Sequence, residues 1–141
     1  MDLLKLKFLR ALSPYAMLIL RVALGIIMMN HGWAKFSGGA AGVAGFFGGL
    51  GVPVPTVAAW IVIIVELVGG LCILLGVLPR LWALLFAITM LVAIFLAKLP
   101  SGDGFNGFEL EFLLLFVALF VAVQGGGSPA VGPMLGLSDD D

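Results

Sequence analysis

Long apolar segments, separated by short polar or glycine-rich stretches, dominate the pattern along the chain. Four of these segments cover about residues 13–35, 55–78, 80–98 and 108–124. At about 1.5 Å of rise per residue they reach roughly 25 to 35 Å as helices, which matches a hydrocarbon core of about 30 Å. The pattern therefore predicts an all-α integral membrane protein, a four-transmembrane-helix bundle forming a single domain over residues 1–127.

The connections refine this prediction. Between helices 1 and 2 the chain is rich in glycine but also carries Phe46, Phe47 and Leu50. An apolar, glycine-broken connection is typical of a short interfacial or re-entrant segment packed on the bundle. The second and third helices are separated by only residues 78–80, so we expect them to be antiparallel neighbours. Residues 128–141 are predicted to form a cytoplasmic tail.

Composition supports the membrane class and excludes other classes. Hydrophobic residues make up 62% of the chain, against roughly 45 to 50% in soluble domains. The net charge is −1, and the seven Lys and Arg residues are scattered. A nucleic-acid-binding protein needs a clustered basic surface, so nucleic acid is excluded as a partner, whereas membrane lipid is expected to surround the helices.

The distribution of basic residues predicts an orientation. Four lie near one side of the predicted bundle and two near the other: Lys5, Lys7, Arg10 and Arg80 against Lys35 and Lys98. This bias places both termini in the cytoplasm of a bacterial or archaeal plasma (inner) membrane. A cleaved signal peptide is not expected, because the first apolar stretch contains Arg21 and has no small-x-small cleavage site.

Two charged residues lie deep inside the predicted crossings. Placing a charge at the bilayer centre costs about 2.5 to 3.5 kcal/mol, so Arg21 and Glu66 need a reason to be there. Counted from the cytoplasmic ends of the first two helices, their depths differ by only about 6 Å. We therefore expect a structural ion pair between Arg21 and Glu66.

A polar seam is predicted on the first helix. His31 and Lys35 are one turn apart, and Arg21 lies close to the same face. Glu109 and Glu111 enter the fourth helix at a similar level, about 200° apart, so one of them, Glu109, is expected to face inward. The candidate ligand-binding residues are thus His31, Lys35, Glu66 and Glu109.

Other chemistry is not indicated. The lone cysteine, Cys72, can form no disulfide within the chain, and one histidine with one cysteine on different helices does not make a metal or haem site. No intrinsic cofactor and no metal are expected. Histidine is the side chain that most readily exchanges protons near neutral pH, so His31 is the sharpest functional candidate, although a satisfied buried histidine is an equal alternative. Catalytic residues stay unassigned.

An ordered series of short motifs resembles the DoxX family. The series comprises Arg21, Gly25, residues 31–35 (HGWAK), Phe46, residues 51–53 (GVP), residues 66–70 (ELVGG) and residues 76–80 (GVLPR). The resemblance covers roughly residues 15–127, and the chain departs from the usual family pattern after Gly127. It implies a small four-helix membrane protein, related to subunits of a thiosulfate:quinone oxidoreductase and to partners of other redox or oxidative-stress enzymes.

Three functions are compatible with these residues. The first is a subunit of a redox complex that binds a quinone through His31, Lys35 and Glu66, beside the apolar rings of Trp33, Phe36 and Trp60. Such a chain would be an accessory subunit, since it has no visible electron carrier. The second is a scaffold that recruits a redox or oxidative-stress enzyme. The third is a small proton or anion carrier using Arg21 and Lys35. The oligomeric state is not predicted.

Overall fold

The computed structural model describes residues 6–137; all regular secondary structure in that range is helical, with no β-strand. Six α-helices follow in chain order: α1 (Ala16–Ser37), α2 (Ala40–Gly49), α3 (Pro55–Leu75), α4 (Pro79–Val92), α5 (Leu99–Ser101) and α6 (Glu109–Gln124). Short 3₁₀ helices cover Lys7–Tyr15, Phe105–Gly107 and Gly132–Leu135, and a π-helical turn, Ala93–Lys98, joins α4 to α5.

Three continuous helical stretches are long and apolar enough to cross a membrane: Lys7–Ser37, Pro55–Leu75 and Pro79–Ser101. The prediction of an all-α membrane protein is therefore confirmed at this level. Helix α6 has 16 residues and extends only about 24 Å. Helix α2 has 10 residues and is too short to span a bilayer.

Glycines let α1 and α3 approach closely. A Cβ atom at Gly25 would lie 2.7 Å from the Gly70 carbonyl oxygen, and one at Gly32 would lie 2.6 Å from the Leu67 amide nitrogen. Only glycine tolerates such backbone contact, the usual basis of tight helix packing in membranes. Gly70 thus allows the two helices to approach closely. The register of the helices places Glu66 of α3 beside Gly32 of α1, and Gly32 lies one turn before Lys35.

Helices α4 and α6 form a second closely packed pair. Phe86, Ala87 and Met90 on α4 share a core with Leu114 and with Ala118 on α6. Helix α1 packs most extensively on α3, and α4 on α6, so the bundle consists of an α1/α3 pair and an α4/α6 pair. We call the end with α2, Lys35 and Lys98 the open end.

The opposite end, the closed end, is covered by residues 125–137, here called the C-terminal strap. The Val131 amide donates to the Leu75 carbonyl at 2.8 Å, and the Gly132 amide donates to the Gly76 carbonyl at 3.2 Å. These bonds satisfy carbonyls that the end of α3 leaves without helical partners. Residues 128–137 were expected to belong to a tail, but this part of the chain packs onto the bundle.

Candidate ligand site between the helix pairs

Lys35 and Glu66 form an ion pair that joins α1 to α3. Lys35 Nζ lies 2.5 Å from Glu66 Oε2, and the side chains are 28% and 3% exposed. The register of the two helices brings the pair together, because Glu66 stands opposite Gly32. Two of the predicted ligand-binding residues are therefore in direct contact, with the carboxylate enclosed and the ammonium reaching toward solvent.

His31 lies one turn before Lys35 and is half-buried. No hydrogen-bond partner for its ring is found among residues 6–137, while its side chain lines the same cavity as Lys35 and Glu66. The structure thus brings three of the four predicted ligand-binding residues, His31, Lys35 and Glu66, to one place.

The cavity has a volume of about 440 Å³ and lies between the α1/α3 and α4/α6 pairs at the open end. Its walls are mostly apolar, with Phe46 and Phe47 from α2 and Phe86 from α4. Ile61 and Ile88 are exposed on its rim, so it opens toward the apolar outer surface of the bundle. Small-molecule sites have volumes of about 300 to 1,000 Å³ and few polar groups, as here.

A second ion pair lines the same cavity from the other side. Lys98 Nζ lies 3.1 Å from Glu111 Oε1, with side chains 41% and 16% exposed. The expectation that Glu109 faces inward is not met, because Glu109 is exposed and does not line this cavity. The buried residues Leu114 and Ala118 set the rotation of α6, and they share a face with Glu111.

Arg21 does not pair with Glu66. It is 1% exposed at the closed end, where Nη2 donates to the Pro129 carbonyl at 2.5 Å. Its Nε and Nη1 atoms have no hydrogen-bond partner in residues 6–137. Glu66 stands opposite Gly32, and Arg21 lies about three turns, roughly 16 Å, before Gly32 on α1. Arg21 and Glu66 are therefore too far apart along the helices to form the expected ion pair.

The aromatic residues expected to wall the ligand pocket lie elsewhere. Trp33, Phe36 and Trp60 contact one another, with ring centroids 5.9 Å apart for Trp33–Phe36 and 6.4 Å for Phe36–Trp60. All three are exposed, and none lines either cavity. Their position on the outer surface at the open end is typical of aromatic residues at a membrane interface.

A further cavity of about 500 Å³ lies between the end of α1 and α2. His31, Lys35, Phe46 and Phe47 line both this cavity and the one between the helix pairs, so these four residues form a shared wall. Within the described chain, no group of three His, Cys, Asp or Glu side chains is placed to hold a metal ion.

These features define a class, that of small helical membrane proteins with an amphipathic cavity inside the bundle. The DoxX family profile matches residues 16–99, and the chain belongs to the DoxX family. This match confirms the family resemblance that the sequence motifs indicated. The matched range includes His31, Lys35, Glu66 and Lys98 but ends before Glu111 and the C-terminal strap.

Relatives in bacteria support the same class. The chain is 36% identical over 118 residues to the Bacillus subtilis protein CatD, provisionally named an oxidoreductase, covering 84% of this chain and 85% of CatD. It is 30% identical over 128 residues to the Escherichia coli inner membrane protein YqjF, covering 89% and 96%. An uncharacterised Mycobacterium tuberculosis membrane protein is 33% identical over 105 residues, covering 73% and 64%. No solved structure matches the chain significantly.

Proposed function

We propose that this protein is a quinone-binding membrane subunit of a redox system. The observation that carries the proposal is the Lys35–Glu66 ion pair in the wall of an apolar cavity that opens toward the outer surface of the bundle. A quinone is largely apolar and bears carbonyl oxygens that accept hydrogen bonds. Lys35 supplies a donor, and the exposed apolar rim supplies a route from the lipid phase.

The placement in the membrane is part of the proposal. Helix α6 would make a fourth crossing, with α2 as an interfacial or re-entrant segment. Both termini would be cytoplasmic, because Lys7, Arg10 and Arg80 lie at or near the closed end, whereas Lys35 and Lys98 lie at the open end. The Trp33–Phe36–Trp60 cluster would then lie at the outer interface, and the cavity in the outer half of the bilayer.

The protein would act as an accessory subunit rather than a complete enzyme. Its single histidine and single cysteine lie on different helices and do not form a site for an electron carrier of their own. Electrons would pass between the quinone and a partner redox protein. The relative CatD is provisionally named an oxidoreductase, which supports a redox role without identifying the substrate.

Quinone binding can be measured directly. The protein is reconstituted in lipid nanodiscs and titrated by calorimetry with 2,3-dimethyl-1,4-naphthoquinone, whose substituted ring resists addition of the Cys72 thiol. We expect saturable binding by the wild type and a loss of about tenfold or more in affinity for Glu66→Gln. Glu109→Gln is the matched control, because Glu109 is exposed outside the cavity, and should bind normally.

The scaffold alternative predicts a different result. A purely structural Lys35–Glu66 pair would give no saturable quinone binding, and a redox enzyme would co-purify equally with wild type and with Glu66→Gln. That result would remove the quinone proposal. The carrier alternative finds no support in the geometry, because Arg21 is enclosed at the closed end and lines neither cavity with Lys35.

A further inference from the structure

The cavity between the helix pairs has a polar group on each of two walls. The α1/α3 pair contributes Lys35–Glu66, and α6 with the π-helical turn after α4 contributes Lys98–Glu111. All four side chains line the same cavity. The interior is therefore bipolar, with one lysine–carboxylate pair on either side of an apolar space.

Lys98, which lines this cavity, lies at the end of a local irregularity in the helix. Lys98 ends the π-helical turn Ala93–Lys98, two residues before Pro100. In a regular α-helix a proline clashes with the carbonyl four residues earlier, here that of Leu96. The wider turn accommodates this proline. Single π-turns of this kind are frequent at functional sites.

Both lysines keep donors for a ligand. An ammonium group carries three N–H donors, and the structure gives Lys35 Nζ and Lys98 Nζ one carboxylate each, with no second acceptor among residues 6–137. Apolar side chains such as Leu114 and Phe86 line the same cavity. The one hydroxyl in its lining, that of Thr89, donates to the Phe86 carbonyl of its own helix. A matching ligand has acceptors at two edges and an apolar body.

We propose that the cavity selects a ligand with two carbonyl oxygens on opposite edges of an apolar ring, one facing Lys35 and the other facing Lys98. This inference rests on the proposed quinone site and assigns the Lys98–Glu111 pair as its second anchor. A lipid with a single polar head would engage only one of the two ion pairs. Lys98 is thus a specificity-determining residue, and Glu111 positions it.

The test compares two probes in nanodiscs. 2,3-Dimethyl-1,4-naphthoquinone has two opposed carbonyls, and 2,2-dimethyl-1-tetralone has one on a similar two-ring body. We expect the wild type to prefer the dicarbonyl probe by about tenfold, the value of one hydrogen bond to a charged group. Lys98→Met should abolish that preference by weakening the dicarbonyl probe alone, and Lys98→Arg should retain part of it.

Glu111→Gln and Glu109→Gln form a matched pair two residues apart on α6. Glu111→Gln should reduce the preference, whereas Glu109→Gln should leave it unchanged; circular dichroism and thermal melts confirm that each variant is folded. Equal affinity of the wild type for both probes, or an equal loss of both in Lys98→Met, would overturn the bipolar site while quinone binding stands. If neither probe binds to the wild type, the proposed function itself is wrong, and this inference with it.

Discussion

The open end of the bundle places two lysines opposite carboxylates around a cavity, whereas the closed end directs Arg21 at a backbone carbonyl of the C-terminal strap. Lys35 and Lys98 pair with Glu66 and Glu111 at the open end. At the closed end Arg21 donates to the Pro129 carbonyl, and Arg80 donates to the Ala122 and Val123 carbonyls. Charged side chains in the described chain thus border a cavity at one end and anchor the C-terminal strap at the other.

The two ends differ in whether a cation keeps N–H donors available for a ligand. A carboxylate partner keeps a lysine neutralised while its other N–H groups can turn to a ligand. Arg80 instead caps the carbonyls at the end of α6, which the helix dipole makes favourable, and Arg21 holds the C-terminal strap. We therefore expect changes at the open end to alter ligand affinity and changes at the closed end to alter stability.

The largest expected effect is at Glu66. Glu66→Leu leaves Lys35 without its carboxylate and should destabilise the protein by about 3 to 4 kcal/mol, while abolishing quinone binding. The double variant Lys35→Met/Glu66→Leu removes both charges and should regain most of that stability without regaining the ligand. Thermal unfolding in detergent and calorimetric titration separate the two effects. Binding by the double variant at wild-type affinity would show that the pair is only structural.

The corresponding change at the closed end is Gly76→Val. Gly76 has φ +72°, and a Cβ there would collide with Arg21 Nη1 and lie 2.6 Å from Ala130 Cβ. We expect a loss of about 2 to 3 kcal/mol in unfolding free energy with unchanged quinone affinity in the folded fraction. Gly45→Val is the control, because a Cβ at Gly45 meets nothing within 4 Å. Equal effects of the two variants would contradict this account.

A smaller effect is expected at the second ion pair. Because Lys98 is 41% exposed, Glu111→Gln should lower the unfolding free energy by no more than about 1 kcal/mol. The unfolding midpoint in denaturant measures this change, with Glu109→Gln as the control. A loss of unfolding free energy as large as that of Glu66→Leu would mean that the two ion pairs contribute equally to stability.

The smallest effect on stability is expected at His31. Since its ring has no hydrogen-bond partner in residues 6–137, His31→Gln should change the unfolding free energy by less than about 0.5 kcal/mol. His31 is the single histidine of the chain, so its modification by diethylpyrocarbonate can be followed without interference. Bound 2,3-dimethyl-1,4-naphthoquinone should slow that modification in the wild type. Unchanged modification in saturating ligand would place the ligand away from His31.

The helical membrane class and the grouping of His31, Lys35 and Glu66 could be predicted from the sequence. Residues one helical turn apart share a face whatever surrounds them, and a carboxylate in an apolar segment requires a partner. Which partner it takes depends on how far two helices are displaced along each other. The contact of Gly32 with Leu67 sets that displacement, so Glu66 meets Lys35 rather than Arg21.

The rotation of α6 was equally hard to predict. The helix is apolar on all sides, so hydrophobic periodicity does not distinguish the face of Glu109 from that of Glu111. The small residue Ala118, two turns beyond Glu111, marks the packed face and was an available signal. Pro100 was an available local signal for the π-helical turn. No comparable signal indicates the C-terminal strap, because it is irregular backbone stabilised by contacts distant in sequence.

Local chemistry along the chain by itself determined that this protein is a helical membrane protein and that charges inside its crossings needed polar partners. Apolar length, glycine placement and one-turn spacing are short-range properties, which any helix expresses before it packs. The partners of those charges, the cavity that some of them border and the packing of the C-terminal strap on the opposite end were decided only by the tertiary structure. Each depends on the displacement and rotation of one helix against another, which the close glycine contacts and the packed core set together.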